Sequence, residues 1–461
     1  MHIILRSILV MLIFFGASTA GGTDLAEVYQ IALVGDPTLR EANANRQASS
    51  EASPQARAAL LPLITASYSR AKTDSGGSFT SFQVDPVTGA ILIRPSSFAT
   101  DVRRDTQWRL QLQQPLFRWD RIVGLRQAQK KVAQAEVDYQ AAQQDLMLRV
   151  AEAYFNVLAA QDTLDAEVAN KEATKRQLEQ AEKRFEVGLI AITDVLEAQA
   201  AYDLAVSTDI GARRSLSTAK ESLREITGEY IDELQRPGDD LPLVSPDPAS
   251  ANSWVEQGLK NNLALNSTRL QADVAKDQVR INRSGHLPTL DLIASRTGSD
   301  RRAFQSVDGQ PFSPSNSDSV GNSVSLQLNI PIFSGGNTSS TVRQSVYQHR
   351  AARERVERVA RETERSTRDA YDAVLSQIAR VRALRRAVQS NEKALQASEA
   401  GFEVGTRTTV DVLNARQKLF RARTDYARTR YDYIVNVLRL KQAAGSLSAQ
   451  DINEVNSWLA D

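Results

Sequence analysis

Two periodicities alternate along this chain. The longer one steps by three or four residues through Leu125, Ala128, Val132, Ala135, Tyr139, Ala142, Leu146, Val150, Ala153, Val157, Ala160, Leu164 and Val168, with neither Gly nor Pro before Gly188. Its mean step near 3.6 predicts one helix of roughly 70 residues, on the order of 100 Å long. No compact domain buries a helix of that length. A second run leads from Val342 through Ala352, Val359, Ala370, Val374, Val381 and Val388 to Gly405. Many stripe positions are Ala, Ser or Thr, so neighbouring helices can approach closely and interdigitate as a coiled coil. Gly188 and Gly405 stand where left-handed C-caps belong, and Asp194 and Asp411 follow as first-turn acids. Each long helix is therefore expected to turn at a Val-Gly pair and run back, to Gly228 in one case and Gly445 in the other. A shorter helix, from Asp36 to about Leu60, is expected ahead of the first strand.

The second periodicity is two. Ile64, Ala66 and Tyr68 alternate with Thr65, Ser67 and Ser69, and Trp108, Leu110 and Leu112 alternate with Gln107, Arg109, Gln111 and Gln113. Leu290, Leu292 and Ala294, then Val324, Leu326, Leu328 and Ile330, repeat the pattern. One apolar face against one mostly uncharged polar face suits a strand between lipid and a watery lumen, and also a half-buried soluble sheet. Pro62 and Pro288 precede the strands and Pro115 and Pro331 follow them, where a missing amide costs little. Phe117, Trp119 and Phe333 come next, as an interfacial aromatic girdle would. The polar segments 70–105 and 296–322 between paired strands are expected to be long extracellular loops.

The order of these elements repeats. RFEVGLIAITDVLEAQ from Arg184 returns as GFEVGTRTTVDVLNARQ from Gly401, AYFNVL at Ala153 as AYDAVL at Ala370, and LQLQQPLF at Leu110 as LQLNIPIF at Leu326. GDPTLREAN from Gly35 and LLPLI from Leu60 match NNLALNSTR from Asn261 and HLPTL from His286. A Pro-rich stretch, RPGDDLPLVSPDP from Arg236, separates the copies. The expected organisation is a leader at 1–20, a first repeat at 21–241, and a second at 242–461 with a short C-terminal tail.

Composition then narrows the class. The first twenty residues carry Arg6, an apolar run from Ile8 to Phe15, and Ser18 and Ala20 spaced for cleavage, which reads as a secretory signal peptide, a signal anchor being the alternative. No later stretch approaches the roughly 20 apolar residues of a membrane helix. The 56 basic and 55 acidic side chains leave a net charge of +1, so no global field attracts nucleic acid, and none is expected as a partner. Without cysteine there is no disulfide, thiolate metal site, cysteine nucleophile or lipidated N-terminal cysteine. The three histidines, His2, His286 and His349, are too scattered for a metal site or a serine triad, and no Gly-rich phosphate loop appears. No enzyme activity and no cofactor are expected.

Four strands cannot close a barrel, and open edges are not tolerated in lipid, so closure demands oligomers. Dimers would give eight strands with a filled lumen, whereas trimers give twelve and room for a channel. Over essentially its whole mature length the chain resembles the TolC family of outer-membrane efflux and type I secretion proteins. The most specific matches are RFEVGLIAITDVLEAQ, FEVGTRTTVDVLNARQ, SLREITGEY from Ser222 and the LxPxF-like strand exits. The resemblance implies a mainly α fold with a small transmembrane β-barrel portion. Long antiparallel coiled-coil helices would form an α-barrel, and four strands per protomer would enter a homotrimeric twelve-stranded barrel. It also implies an outer membrane location reaching into the periplasm, contact with outer-membrane lipid, and recruitment by a periplasmic adaptor and an inner-membrane ABC or proton-driven transporter. The alternative is a periplasmic coiled-coil adaptor or scaffold without a pore.

The resemblance also assigns residues. Arg407 matches an arginine that ties a second-copy turn to the first-copy returning helix, where Thr193 and Asp194 match its partners. Asp411 matches an acid ringing the periplasmic aperture. Phe402 and Asn414 stand where the family member compared has a tyrosine and an acid, which implies a weaker lock and ring. Val187, Gly188 and Leu189, with Val404, Gly405 and Thr406, form the helix-turn tips where an adaptor would dock. Simpler readings exist for each: helix-start acids for Asp194 and Asp411, caps for the glycines, a solvated tip residue for Arg407.

Overall fold

A computed structural model describes residues 22–238, 241–308 and 310–459. The expected signal peptide lies outside the described residues, as does Gly309. The chain forms two compact units, each drawing on both halves of the sequence: Met1–Gln47, Gln134–Arg269 and Glu354–Asp461 in one, Ala48–Ala133 and Leu270–Arg353 in the other.

The second unit holds a four-stranded antiparallel sheet in the order β1 (Leu63–Val84), β2 (Ile91–Phe117), β3 (Thr289–Val307), β4 (Gln310–Asn329). These strands overturn the expectation of long loops at 70–105 and 296–322. Hairpin pairing satisfies the backbone N–H and C=O groups whatever the side chains are, so Gly-, Ser- and Thr-rich stretches without apolar alternation continue as strands. The turns are far shorter. Asp85 accepts from the Val87 amide at 2.9 Å and Gly89 donates back to its carbonyl at 2.9 Å, closing the β1–β2 hairpin. In the other hairpin Asp308 adopts φ 49° and ties across to β2, its carboxylate accepting from the Ser97 amide at 2.7 Å.

Register sorts the two faces. Ile64, Leu112, Ala294 and Val324 stand directly opposite one another, as do Leu290 and Leu328, and Leu292 and Leu326. On the other face Thr65, Gln111, Ser295 and Ser323 align, the two serine hydroxyls 2.9 Å apart. Gly298 matters on the apolar face: a Cβ there would lie 2.2 Å from the Trp108 indole nitrogen, so the ring covers the glycine.

The helices are α1 (Leu25–Gly35), α2 (Pro37–Ser50), α3 (Ala52–Ala58), α4 (Trp119–Glu186), α5 (Ile192–Thr227), α6 (Ala251–Asn261), α7 (Leu263–Arg283), α8 (Asn337–Glu403), α9 (Thr409–Ala443) and α10 (Ala449–Ser457). The long runs come out as α4 and α8, of 68 and 67 residues, and the returns as α5 and α9, of 36 and 35. The single helix expected from Asp36 to about Leu60 is broken at Glu51, because the Pro54 ring cannot follow the Ser50 carbonyl in an unbroken helix.

The core of the first unit gathers α1, α10 and the middle stretches of α4, α8 and α9 around Tyr154, Phe155, Tyr433, Ile434 and Leu438. The buried hydroxyls of Tyr154 and Tyr431 are both used. Tyr154 donates to the Gln235 carbonyl at 2.7 Å, and Tyr431, stacked on Phe155 at 5.7 Å, donates to Asp162 at 2.6 Å. Asn456 of α10 holds the start of α1, accepting from the Ala26 amide and donating to Asp24. Asp36, between α1 and α2, caps α2 through the Leu39 amide at 2.8 Å and pairs with Arg149 at 2.9 Å.

Candidate functional site

Both helix-turn tips are built by the same device. Gly188 and Gly405 have φ of 74° and 78°, conformations an L side chain resists. They let the following amides fold back: Leu189 donates to the Arg184 carbonyl at 2.9 Å and Thr406 to the Gly401 carbonyl at 2.8 Å. The returning helices then start differently. At α9 the box is complete, with Asp411 N–H donating to Thr408 Oγ1 at 3.2 Å and Thr408 N–H to Asp411 Oδ2 at 3.0 Å. At α5 the equivalent of Thr408 is Ala191, so only the reverse bond survives, Ala191 N–H to Asp194 Oδ2 at 3.2 Å. The backbone and hydroxyl of Thr408, with Arg407 nearby, hold the Asp411 carboxyl below its usual range.

The apolar tip residues have no cover within the chain. Val187, Leu189 and Val404 are 70 to 76% exposed. Behind the first tip, Leu178, Ala181 and Ala198 form a small buried cluster joining α4 to α5.

Within one chain Arg407 reaches Asp411, Nη1 to Oδ1 at 3.9 Å, rather than Thr193 or Asp194. Thr193 and Asn414 are exposed. Phe402 does make a tie, though not as a hydrogen-bond donor: the Arg184 guanidinium sits 4.8 Å from its ring centroid, linking the ends of α4 and α8.

A residue that joins three helices behind the tips was not singled out from the sequence. Arg416 on α9 donates to Glu399 Oε1 of α8 at 2.8 Å, and to Gln177 Oε1 and the Ala173 carbonyl of α4 at 3.1 and 3.2 Å. Its side chain is only 15% exposed. The available signal was the repeat alignment itself, in which Arg416 replaces Gln199 and so marks where the two copies diverge. Further along, Lys171 pairs with the buried Asp209 at 2.6 Å between α4 and α5, whereas Arg423 and Glu392 join α8 to α9 at 2.7 Å in a more exposed position.

Paired helical hairpins with capped tips and a sheet apolar on one face match a known group. The outer membrane efflux protein family covers residues 28–229 and 254–446. The chain belongs to that family. Among its relatives, the outer membrane protein TolC of Vibrio cholerae is 37% identical over 96% of this chain and 95% of its own length, and that of Escherichia coli 36% identical over 96% and 86%. The alkaline protease secretion protein AprF of Pseudomonas aeruginosa is 31% identical over 94% and 86%. The fold recurs in the solved structures of CusC, with a TM-score of 0.73 at 19% identity over 93% of this chain and 95% of that one, and of VceC from Vibrio cholerae, with 0.71 at 19% over 91% and 96%. As a family member the chain is an outer-membrane channel of the efflux and type I secretion class, which sets aside the poreless adaptor.

Proposed function

We propose that three copies of this chain assemble into a passive exit duct whose twelve strands close one barrel and whose helical hairpins line a periplasmic passage. The observation that carries this is the sheet: among the described residues β1 and β4 each pair on one side only, and one face of the sheet is apolar, as a lipid-facing surface would be. Unpaired edges in hydrocarbon cost several kcal/mol per group, so other chains must supply the missing strands. The sequence repeats, 21–241 and 242–461, each contribute one hairpin of strands and one pair of helices.

In this reading the exposed Val187–Gly188–Leu189 and Val404–Gly405–Thr406 tips dock a periplasmic adaptor, which recruits an ABC or proton-driven inner-membrane transporter. The energy comes from those partners, and the duct needs no cofactor, no catalysis and no nucleic acid. Asp411 with Asn414 surrounds the aperture. Arg407, exposed and only loosely held by Asp411, is free to reach Thr193 and Asp194 of a neighbouring copy and restrain opening, while Phe402 stacks under Arg184 in place of a hydrogen bond. Protein from outer-membrane fractions should run as a trimer that dissociates only on heating. A folded monomer in detergent-free solution would refute the assembly.

A further inference from the structure

The apolar face of the sheet carries a row of cations. Going up that face, Tyr68, Trp108 and Gly298 stand opposite one another, and four residues further along each strand come Lys72 on β1, Arg104 on β2 and Arg302 on β3, again directly opposite. Neighbouring strands lie about 4.8 Å apart, so the three chains leave the backbone within roughly 10 Å. Like charges in register destabilise a sheet. Local acids relieve this only in part. Lys72 reaches Asp74 at 3.7 Å and Arg302 reaches Asp300 at 3.4 Å, all four side chains being about half exposed or more, and Arg104 between them is exposed. Arg70 adds a cation one rung nearer the aromatics and Arg296 another just below them, while Asp300 and Asp318 face each other on β3 and β4.

Depth identifies what could compensate the row. From Leu290 opposite Leu328 up to Trp108 opposite Gly298 the face spans about eight residues of strand, on the order of 25 Å before tilt, which is the height of a barrel's apolar band. Tyr68 and Trp108 occupy the aromatic girdle at its upper edge. The next rungs therefore lie at the depth of lipid headgroups, where the anions are phosphates. Two guanidinium forks and an ammonium in one row suit a phosphate's oxygens.

We propose that Lys72, Arg104 and Arg302 form a docking site for a phosphate-bearing lipid headgroup in the leaflet on the side of the β1–β2 turn. The bound lipid fixes the depth of the barrel and offsets the repulsion within the row. The site rests on the lipid-facing assignment of the apolar face.

The test uses the full mature protein in phosphatidylcholine vesicles with a minor fraction of brominated phosphatidic acid, whose preference over brominated phosphatidylcholine is read from quenching of Trp108. Each cation near an anionic surface changes affinity roughly fivefold, so K72Q/R104Q/R302Q, which removes three and leaves Asp74 and Asp300 in place, should lower the preference on the order of a hundredfold. The charge-preserving K72R/R104K/R302K should keep it. Heat-modifiable migration in the same vesicles reports insertion separately. Normal insertion with an unchanged preference in the glutamine variant overturns the site, and failure of even the unmodified protein to insert overturns the lipid-facing assignment instead. Should the glutamine variant alone fail to insert, raising the salt concentration on the unmodified protein decides: a preference that persists overturns the electrostatic site. Displacement by inorganic phosphate at matched ionic strength would show a free-phosphate site and likewise overturn the lipid.

Discussion

Replacing Arg416 by Met tests whether the tie between α4, α8 and α9 restrains the gate. The substitution keeps the aliphatic stem and removes the guanidinium, so packing is largely retained. Three acceptors lose their donor. The neutral ones, Gln177 Oε1 and the Ala173 carbonyl, account for about 1 kcal/mol each. Glu399 is 44% exposed, which reduces its charged hydrogen bond to about 1 kcal/mol or less. The sum is about 2 to 3 kcal/mol per chain. If α9 parts from α4 on opening, this difference belongs to the closed state alone and the open population should rise roughly 30- to 150-fold per tie broken. Single-channel recording in planar bilayers would show larger or longer openings in Arg416→Met, and a double-mutant cycle with Glu399→Gln would show coupling. A lowered thermal midpoint with unchanged conductance would refute the reasoning, since the tie would then persist in both states.

Arg407→Ser should also raise conductance and admit bulky antibiotics, whereas Asp411→Ala should leave aperture size alone and lower cation selectivity; unchanged conductance in the first would leave Arg407 a solvated tip residue. At Asp36 burial raises the carboxyl's pKa, but the Arg149 hydrogen bonds and the Leu39 amide outweigh it, so the net shift is downward. Its stabilisation is therefore complete above the unfolded value near pH 4 and lost as pH falls through the lower folded value, and Asp36→Ala should cost about 2 to 4 kcal/mol at neutral pH and flatten the acid limb of thermal unfolding. Gly298→Val should displace the Trp108 ring and blue- or red-shift its emission, with an unchanged spectrum contradicting the contact. An epitope inserted at Thr88, in the β1–β2 turn, should be tolerated and label intact cells, whereas one at Gly76, inside β1, should disturb pairing.

The helices were legible because their signals are local. A stripe repeating every 3.6 residues, a glycine at each cap and an acid in each following turn depend on neighbours within a few positions, so α4, α5, α8 and α9 and both tips could be placed from sequence. The duplicated VG motifs and the strand exits carried the family in the same way. Strand extent was not legible beyond the apolar alternation, since the backbone pairing that continues β1 through Ser75 and β3 through Arg302 is indifferent to side-chain polarity. Register was hidden for a related reason. Only pairing places Lys72, Arg104 and Arg302 side by side, although more than 200 positions separate the first from the last, and only pairing sets Trp108 over Gly298. Arg416 looked like one more solvated arginine on an amphipathic helix until packing brought Ala173, Gln177 and Glu399 within reach of its guanidinium. Sequence by itself thus determined which segments are helical, where they turn and which face of each apolar-alternating strand segment is apolar, because those follow from local periodicity. Tertiary structure decided which distant charges meet, because a hydrogen bond or ion pair depends on a few ångströms of separation that no spacing along the chain specifies.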